Sequence, residues 1–185
     1  MSEEKEFAVI KKIQNGNYYL FEKIILAYQK KLFSFVNRII KNSEDTKDIC
    51  QDAFINAYKS INVFNFKSKF STWLFQIAYN TSINYIKRQK NKNKIELNYR
   101  NSLENKIFHD HFEKNEINKI IKTIVSKLDR EYQIPLFLFY SENASYEEIS
   151  AIMKKNINTV KSYIFRGKNM IKKKLIEDFK FEIED

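Results

Sequence analysis

Glycine stands at only two positions, Gly16 and Gly167, and proline at one, Pro135. A chain so short of turn residues is ill suited to a sandwich of many short strands, which needs them at each tight reversal. Lys, Ile, Asn, Phe and Tyr abound instead, and long helices joined by polar loops suit that supply. The expected fold class is all-α. With 185 residues, 43% hydrophobic and 15% aromatic, the chain can build one compact domain or two small helical ones.

Apolar spacing divides the chain. Phe7, Ile10 and Ile13 recur at helical intervals and Gly16 punctuates them. Phe21, Ile25, Tyr28, Leu32, Phe35, Val36 and Ile39 mark a second, longer helix whose apolar face should pack on the first. Ser43 before Glu44 and Asp45 suits a helix start, the hydroxyl accepting a free N–H and the carboxylates meeting the positive end of the dipole. That third helix carries Ile49, Ala53, Ala57 and Ile61. After a short segment from Asn62 to Lys69, a fourth sets Phe70, Leu74, Ile77, Ala78, Thr81 and Tyr85 on one side. From Gln89 to Asn115 the spacing fails, six Asn and six Lys or Arg standing among four acids, as in a flexible linker. The expected organisation is a four-helix domain over 1–88, a linker over 89–115 and a second domain over 116–185.

The second domain opens with Ile117, Ile120, Ile121, Ile124 and Leu128 at helical spacing. Asp129 is placed to cap the next helix, in which Pro135 predicts a kink or a late start. Ser145-Tyr146-Glu147-Glu148 is a capping box, followed by Ile149, Ile152 and Met153 as a buried stripe. A connector, Lys154-Lys155-Asn156, leads to a final helix from Ile157 to Phe179. On a helical wheel Ile157, Val160, Ile164, Gly167, Ile171 and Leu175 share one face; Asn158, Thr159, Ser162, Phe165, Arg166 and Asn169 share the other. Helix, short turn and helix with a polar, basic outer face is a helix-turn-helix.

A formal net charge of +10 draws the chain to a polyanion, either nucleic acid or an acidic membrane surface. No apolar run approaches the roughly 20 residues of a membrane span, and the first residues are acidic where a signal peptide is basic. The expectation is a cytoplasmic protein that does not span the membrane. Cys50 is the sole cysteine and only His109 and His111 accompany it, so neither a disulfide nor a zinc set is expected. No glycine-rich phosphate loop or nucleophile-base ordering occurs, and neither enzyme chemistry nor a cofactor is expected. Asp48 and Asp52, one helical turn apart, read as a solvated or partner-facing edge.

Between Ala151 and Ile176 stand eight Lys or Arg and no acid. Beside that charge, Thr159, Ser162 and Arg166 are suited to base edges and phosphates. Phe165 either shares this outward face or packs on a neighbouring helix. In the first half Trp73, Asn80, Asn84 and Lys87 fall on one side of the fourth helix, with Phe66, Lys67 and Lys69 just upstream. Aromatics, amides and cations together suit single-stranded nucleic acid, while Trp73 alone would equally suit a core anchor.

Both halves resemble one family. The run from Glu44 to Tyr58, with Asp48-Ile49-Cys50-Gln51-Asp52-Ala53-Phe54, is similar to the polymerase-binding helix of bacterial RNA polymerase sigma factors of the extracytoplasmic-function type. Phe70-Ser71-Thr72-Trp73-Leu74 to Asn80, then Tyr85-Ile86-Lys87-Arg88, resembles their minus-10 segment. Leu128-Asp129-Arg130-Glu131, Ser145 to Ile149, Thr159-Val160-Lys161-Ser162 and Phe165-Arg166 resemble their minus-35 domain. The resemblance implies docking on the beta-prime coiled coil through Asp48, Gln51, Asp52 and Phe54. It implies capture of melted minus-10 DNA by Phe66, Lys67, Lys69, Trp73, Asn80, Asn84, Lys87 and Arg88, with Asn80 helping to form a pocket for a flipped base. Thr159, Lys161, Ser162, Tyr163, Phe165 and Arg166 would read the minus-35 duplex. Implied partners are core RNA polymerase, at the beta-prime coiled coil and the beta flap, promoter DNA and, as a further candidate, an anti-sigma factor.

Lys154 stands where the family commonly has Gly, Asn158 where Gly is frequent and Tyr163 where a base is frequent. These departures bear on the angle of the reading helix and on the preferred minus-35 sequence. Two rival readings remain at this stage: a stand-alone helix-turn-helix regulator of duplex operators, and a basic protein lying on anionic lipid.

Overall fold

The computed structural model describes residues 3–96 and 116–179. Among them are eight α-helices, two short 3-10 turns and no strand. They form two compact units, the first built mainly on the first four helices and the second on the last four. His109 and His111 lie outside the described residues.

In the first unit α1 spans Glu3–Gln14, α2 Phe21–Ile40, α3 Ser43–Lys59 and α4 Phe70–Glu96. Gly16 stops α1 with φ +99°, a conformation that favours glycine. Helices α2, α3 and α4 pack on one another around Leu32, Phe35, Ile39, Ala53, Ala57, Phe70, Leu74 and Ala78, all without solvent exposure. Ala53 and Ala57 leave room for the aromatic rings, among them Phe35 and Phe75 edge to face at 4.9 Å.

Several sequence expectations shift by a residue or a face. Asn42, not Ser43, caps α3: its backbone is extended and its side chain accepts from the N–H groups of Glu44 and Asp45 at 2.9 and 3.1 Å. On α2, Ile24 is fully buried, whereas Ile25 is only half-buried. On α4, packed against both α2 and α3, the buried set includes Phe75 and Ser82, while Ile77, Thr81 and Tyr85 are half-buried. The buried Ser82 hydroxyl is satisfied by donating to the Ala78 carbonyl at 2.8 Å. Helix α4 continues to Glu96, beyond the expected start of the linker at Gln89, because nothing between Gln89 and Glu96 breaks a helix.

The second unit holds α5 at Glu116–Lys127, α6 at Arg130–Ser141, α7 at Tyr146–Met153 and α8 at Ile157–Phe179. Asp129 sits at the start of α6 but its side chain makes no capping bond. Buried Gln133 ties this corner instead, donating to the carbonyls of Ser126 at 2.8 Å and Leu128 at 2.6 Å. Pro135 lies inside α6, so the late start is excluded. Its missing N–H removes the helical bond that the carbonyl of Glu131 would otherwise accept.

Candidate nucleic-acid interface

The capping box of α7 forms as expected, Ser145 N–H donating to Glu148 at 2.8 Å and Glu148 N–H donating to the Ser145 hydroxyl at 3.1 Å. Lys154 then reverses the chain in the left-handed region, φ 51° and ψ 45°, its N–H donating to the Ser150 carbonyl. The turn thus keeps the geometry glycine would adopt and strains a lysine to do so. Asn156 starts α8 through a side-chain bond from the N–H of Asn158 at 2.9 Å.

Val160, Ile164 and Gly167 are buried, while Ile157, Ile171 and Leu175 are half-buried. This fixes which way α8 faces. The opposite side carries Lys161, Phe165 and Arg166 in solvent, with Thr159 and Ser162 partly exposed. Phe165 is 65% exposed, which decides against packing on a neighbouring helix. Tyr163 differs from the expected reading face: its ring is half-buried, edge-on to Tyr132 at 5.7 Å. Tyr132 also interacts with Glu131 and Arg166; the hydrogen bond with Glu131 is the main cause of its raised pKa. Arg166 is thereby steadied at the base of the face. Lys161 lies over the Tyr146 ring at 5.6 Å, joining α8 to α7.

The basic run is less uniform than its sequence suggests. Lys173 and Lys174 lie 3.6 and 3.5 Å from Glu177, and Lys174 also 3.7 Å from Asp178. These exposed pairs are weak, but they moderate the field toward the end of α8. Acids one turn beyond the run gave the signal in sequence.

In the first unit Asp48, Gln51 and Asp52 stand exposed along one edge of α3. Phe54, expected on that edge, is instead buried at 8% exposure, because its position points between α3 and its packing partners. Cys50 is also buried, and burial pushes its thiol up to about 12, so no thiolate is available at neutral pH.

The segment between α3 and α4 is pinned by Phe64, whose ring meets Phe70 and Trp73 at 5.5 and 5.3 Å. Trp73 also contacts Phe70 at 5.5 Å and is half-buried, which anchors it to the core while leaving part of its surface open. Phe66, in a left-handed conformation with φ 61°, is wedged edge-on against Phe7 at 5.2 Å and Phe64 at 5.0 Å. Lys67 and Lys69 beside it are exposed. Farther along α4, Asn80 is half-buried and Asn84, Lys87 and Arg88 are exposed. Sequence reasoning missed that α1 reaches this segment: Gln14 donates to the carbonyls of Ile61 and Phe64, both at 2.8 Å. Among the described residues no helix is long and apolar enough to cross a membrane, and no cluster of candidate metal ligands occurs.

This arrangement has counterparts. Residues 24–92 match the family model Sigma-70 region 2, and residues 118–171 match Sigma-70, region 4. An ECF RNA polymerase sigma-E factor of Haemophilus influenzae is 30% identical over 178 residues, covering 91% of this chain and 94% of that one. One from Escherichia coli K12 is 31% identical over 191 residues, covering 95% and 97%. The solved sigma factor RpoE of Bartonella quintana, in complex with the anti-sigma factor NepR, shares the fold with TM-score 0.71 at 20% identity, covering 85% of this chain and 98% of that one. A stand-alone regulator would leave the first unit without a counterpart, and the region 2 match supplies it. The chain therefore belongs to the sigma-70 family, in its extracytoplasmic-function group, as a promoter-directing subunit of RNA polymerase that performs no bond chemistry itself.

Proposed function

We propose that the two units divide promoter recognition through the residues described above. The first unit offers Asp48, Gln51 and Asp52 to the beta-prime coiled coil of core polymerase, their exposure and charge suiting a basic partner surface. Phe54 supports that edge from beneath. Phe66, Lys67, Lys69, Trp73, Asn80, Asn84, Lys87 and Arg88 take the melted minus-10 strand: lysines and arginine neutralise phosphate, and Trp73 and Asn80 receive an unstacked base. Residues 97–115 connect this unit to the second, whose α8 enters the minus-35 major groove with Thr159, Lys161, Ser162, Phe165 and Arg166 outward. Tyr163 supports that helix from behind. The second unit also meets the beta flap, an anti-sigma factor is a regulatory partner, and the protein acts in the cytoplasm.

The observation that carries this reading is the outward face of α8, where Phe165 at 65% exposure has no structural use and stands next to Arg166. Binding of the full chain, in holoenzyme, to a library of minus-35 duplexes tests it. Substitution of Phe165 or Arg166 should alter sequence preference, and unchanged preference in both would remove α8 as the reader.

A further inference from the structure

Helix α1 lies before the residues matched by the region 2 model, which begin at Ile24. Its inner side is committed to the unit: Ile10 and Ile13 are fully buried, and the Tyr28 hydroxyl donates to Glu6 at 2.6 Å. The same helix also touches the segment between α3 and α4 at three points. Gln14 Nε2 donates to the carbonyls of Ile61 and Phe64, both at 2.8 Å. The Phe7 ring meets Phe64 at 6.2 Å and Phe66 at 5.2 Å, and Lys11 Nζ lies 5.6 Å from the centre of the Phe66 ring.

Those contacts converge on a backbone that needs holding. Phe66 has φ 61°, a left-handed conformation that a side chain with a Cβ adopts at a cost. Locally, Asn65 Oδ1 accepts the Lys67 N–H at 3.2 Å across it, and α1 supplies the contacts to its ring. Phe7 and Lys11 bracket its ring, while Gln14 fixes the carbonyls on which the segment hinges.

We propose that Gln14, Phe7 and Lys11 are positioning residues for minus-10 capture: α1 clamps the segment Ile61–Lys69 so that Lys67, Lys69 and Trp73 meet the melted strand together. The inference rests on the minus-10 reading given above. Gln14 touches no DNA itself; it acts through the backbone of Ile61 and Phe64.

The test uses holoenzyme assembled from core polymerase and full-length Gln14→Ala, Phe7→Leu or the double variant Lys67→Ala/Lys69→Ala. Three quantities are read: affinity for core, affinity for a minus-35 duplex, and permanganate reactivity of unpaired thymines at minus-10. Loss of both Gln14 bonds should lower opening about fivefold to tenfold, with core and minus-35 affinities unchanged. Phe7→Leu, which keeps an apolar side chain, should lower opening with the same selectivity. If the lysine double variant lost opening while Gln14→Ala and Phe7→Leu kept it, the clamp would be wrong and the minus-10 reading would stand. If all three variants opened normally, that reading and the clamp would both fall. Equal losses in all three quantities for both single variants would mean that α1 only supports folding, and would also overturn the proposal.

Discussion

Gly167 on α8 lies so close to Leu136 on α6 that a methyl group on the glycine would come within 2.8 Å of Leu136 Cδ1 and 3.4 Å of Tyr132 Cβ. The buried side of the reading helix is therefore seated directly on α6, and the outward side is set by that contact. Replacing Gly by Ala in a helix gains about 1 kcal/mol of propensity. Forcing buried Leu136 to move costs about 2 kcal/mol. Gly167→Ala should lose about 1 kcal/mol net in denaturant unfolding, the difference between those two effects.

Lys154 in the left-handed turn predicts the opposite sign. Gly relieves a Cβ clash worth about 1–2 kcal/mol and gives back part of it as unfolded-chain entropy. Lys154→Gly should raise stability by about 0.5 kcal/mol while leaving minus-35 preference unchanged, since the turn already has the glycine geometry. Thermal unfolding and library binding check the two halves.

The Glu6 carboxyl is raised above its usual 4.5 chiefly by burial, against a lowering hydrogen bond from Tyr28. A raised folded-state value means that the unfolded chain ionises first as pH rises. Its stabilising contribution is complete below 4.5 and is lost as pH climbs through the raised value. Glu6→Gln should therefore gain stability relative to the parent chain between pH 4 and 7. Paired unfolding measurements across that range read the difference, and a stability of Glu6→Gln that fell relative to the parent as pH rose would contradict the assignment.

Much of this architecture was legible in the chain. The capping box, the three-residue connector and the wheel of α8 all translate into structure because each depends on neighbours within a few residues. Where several elements meet, the sequence was less informative. Phe54 went to the core and Tyr163 turned toward Tyr132 because local spacing does not disclose which flank of a helix a distant partner covers. Gln14 escaped notice for the same reason: its partners are 47 and 50 residues away, and the groups it satisfies are backbone carbonyls with no sequence signature. The cap of α3 falls on Asn42, one residue before the expected Ser43, because the backbone is extended there and its side chain reaches two free N–H groups.

Arg166 and Lys172 should behave differently on α8. Arg166→Ala should cost about 1–3 kcal/mol and flatten preference at one minus-35 position, as a lost base contact does. Lys172→Ala, farther along the helix, should weaken all sequences about equally, with a shallower salt dependence. Two salt concentrations and one duplex library separate these outcomes; identical uniform losses would make the second unit an electrostatic clamp.

One chain both docks on core polymerase and chooses where it starts. Transcription in vitro with core polymerase on genomic fragments, followed by start-site mapping, tests it most directly. With the parent chain, starts should appear that core alone does not make, preceded by a shared pair of elements about 25 base pairs apart, on the order of 85 Å of duplex. Asp52→Lys should abolish those starts together with core binding while leaving the fold intact, because Asp52 is exposed on α3. Starts that are absent with the parent chain, or that persist undiminished with Asp52→Lys, would contradict the account.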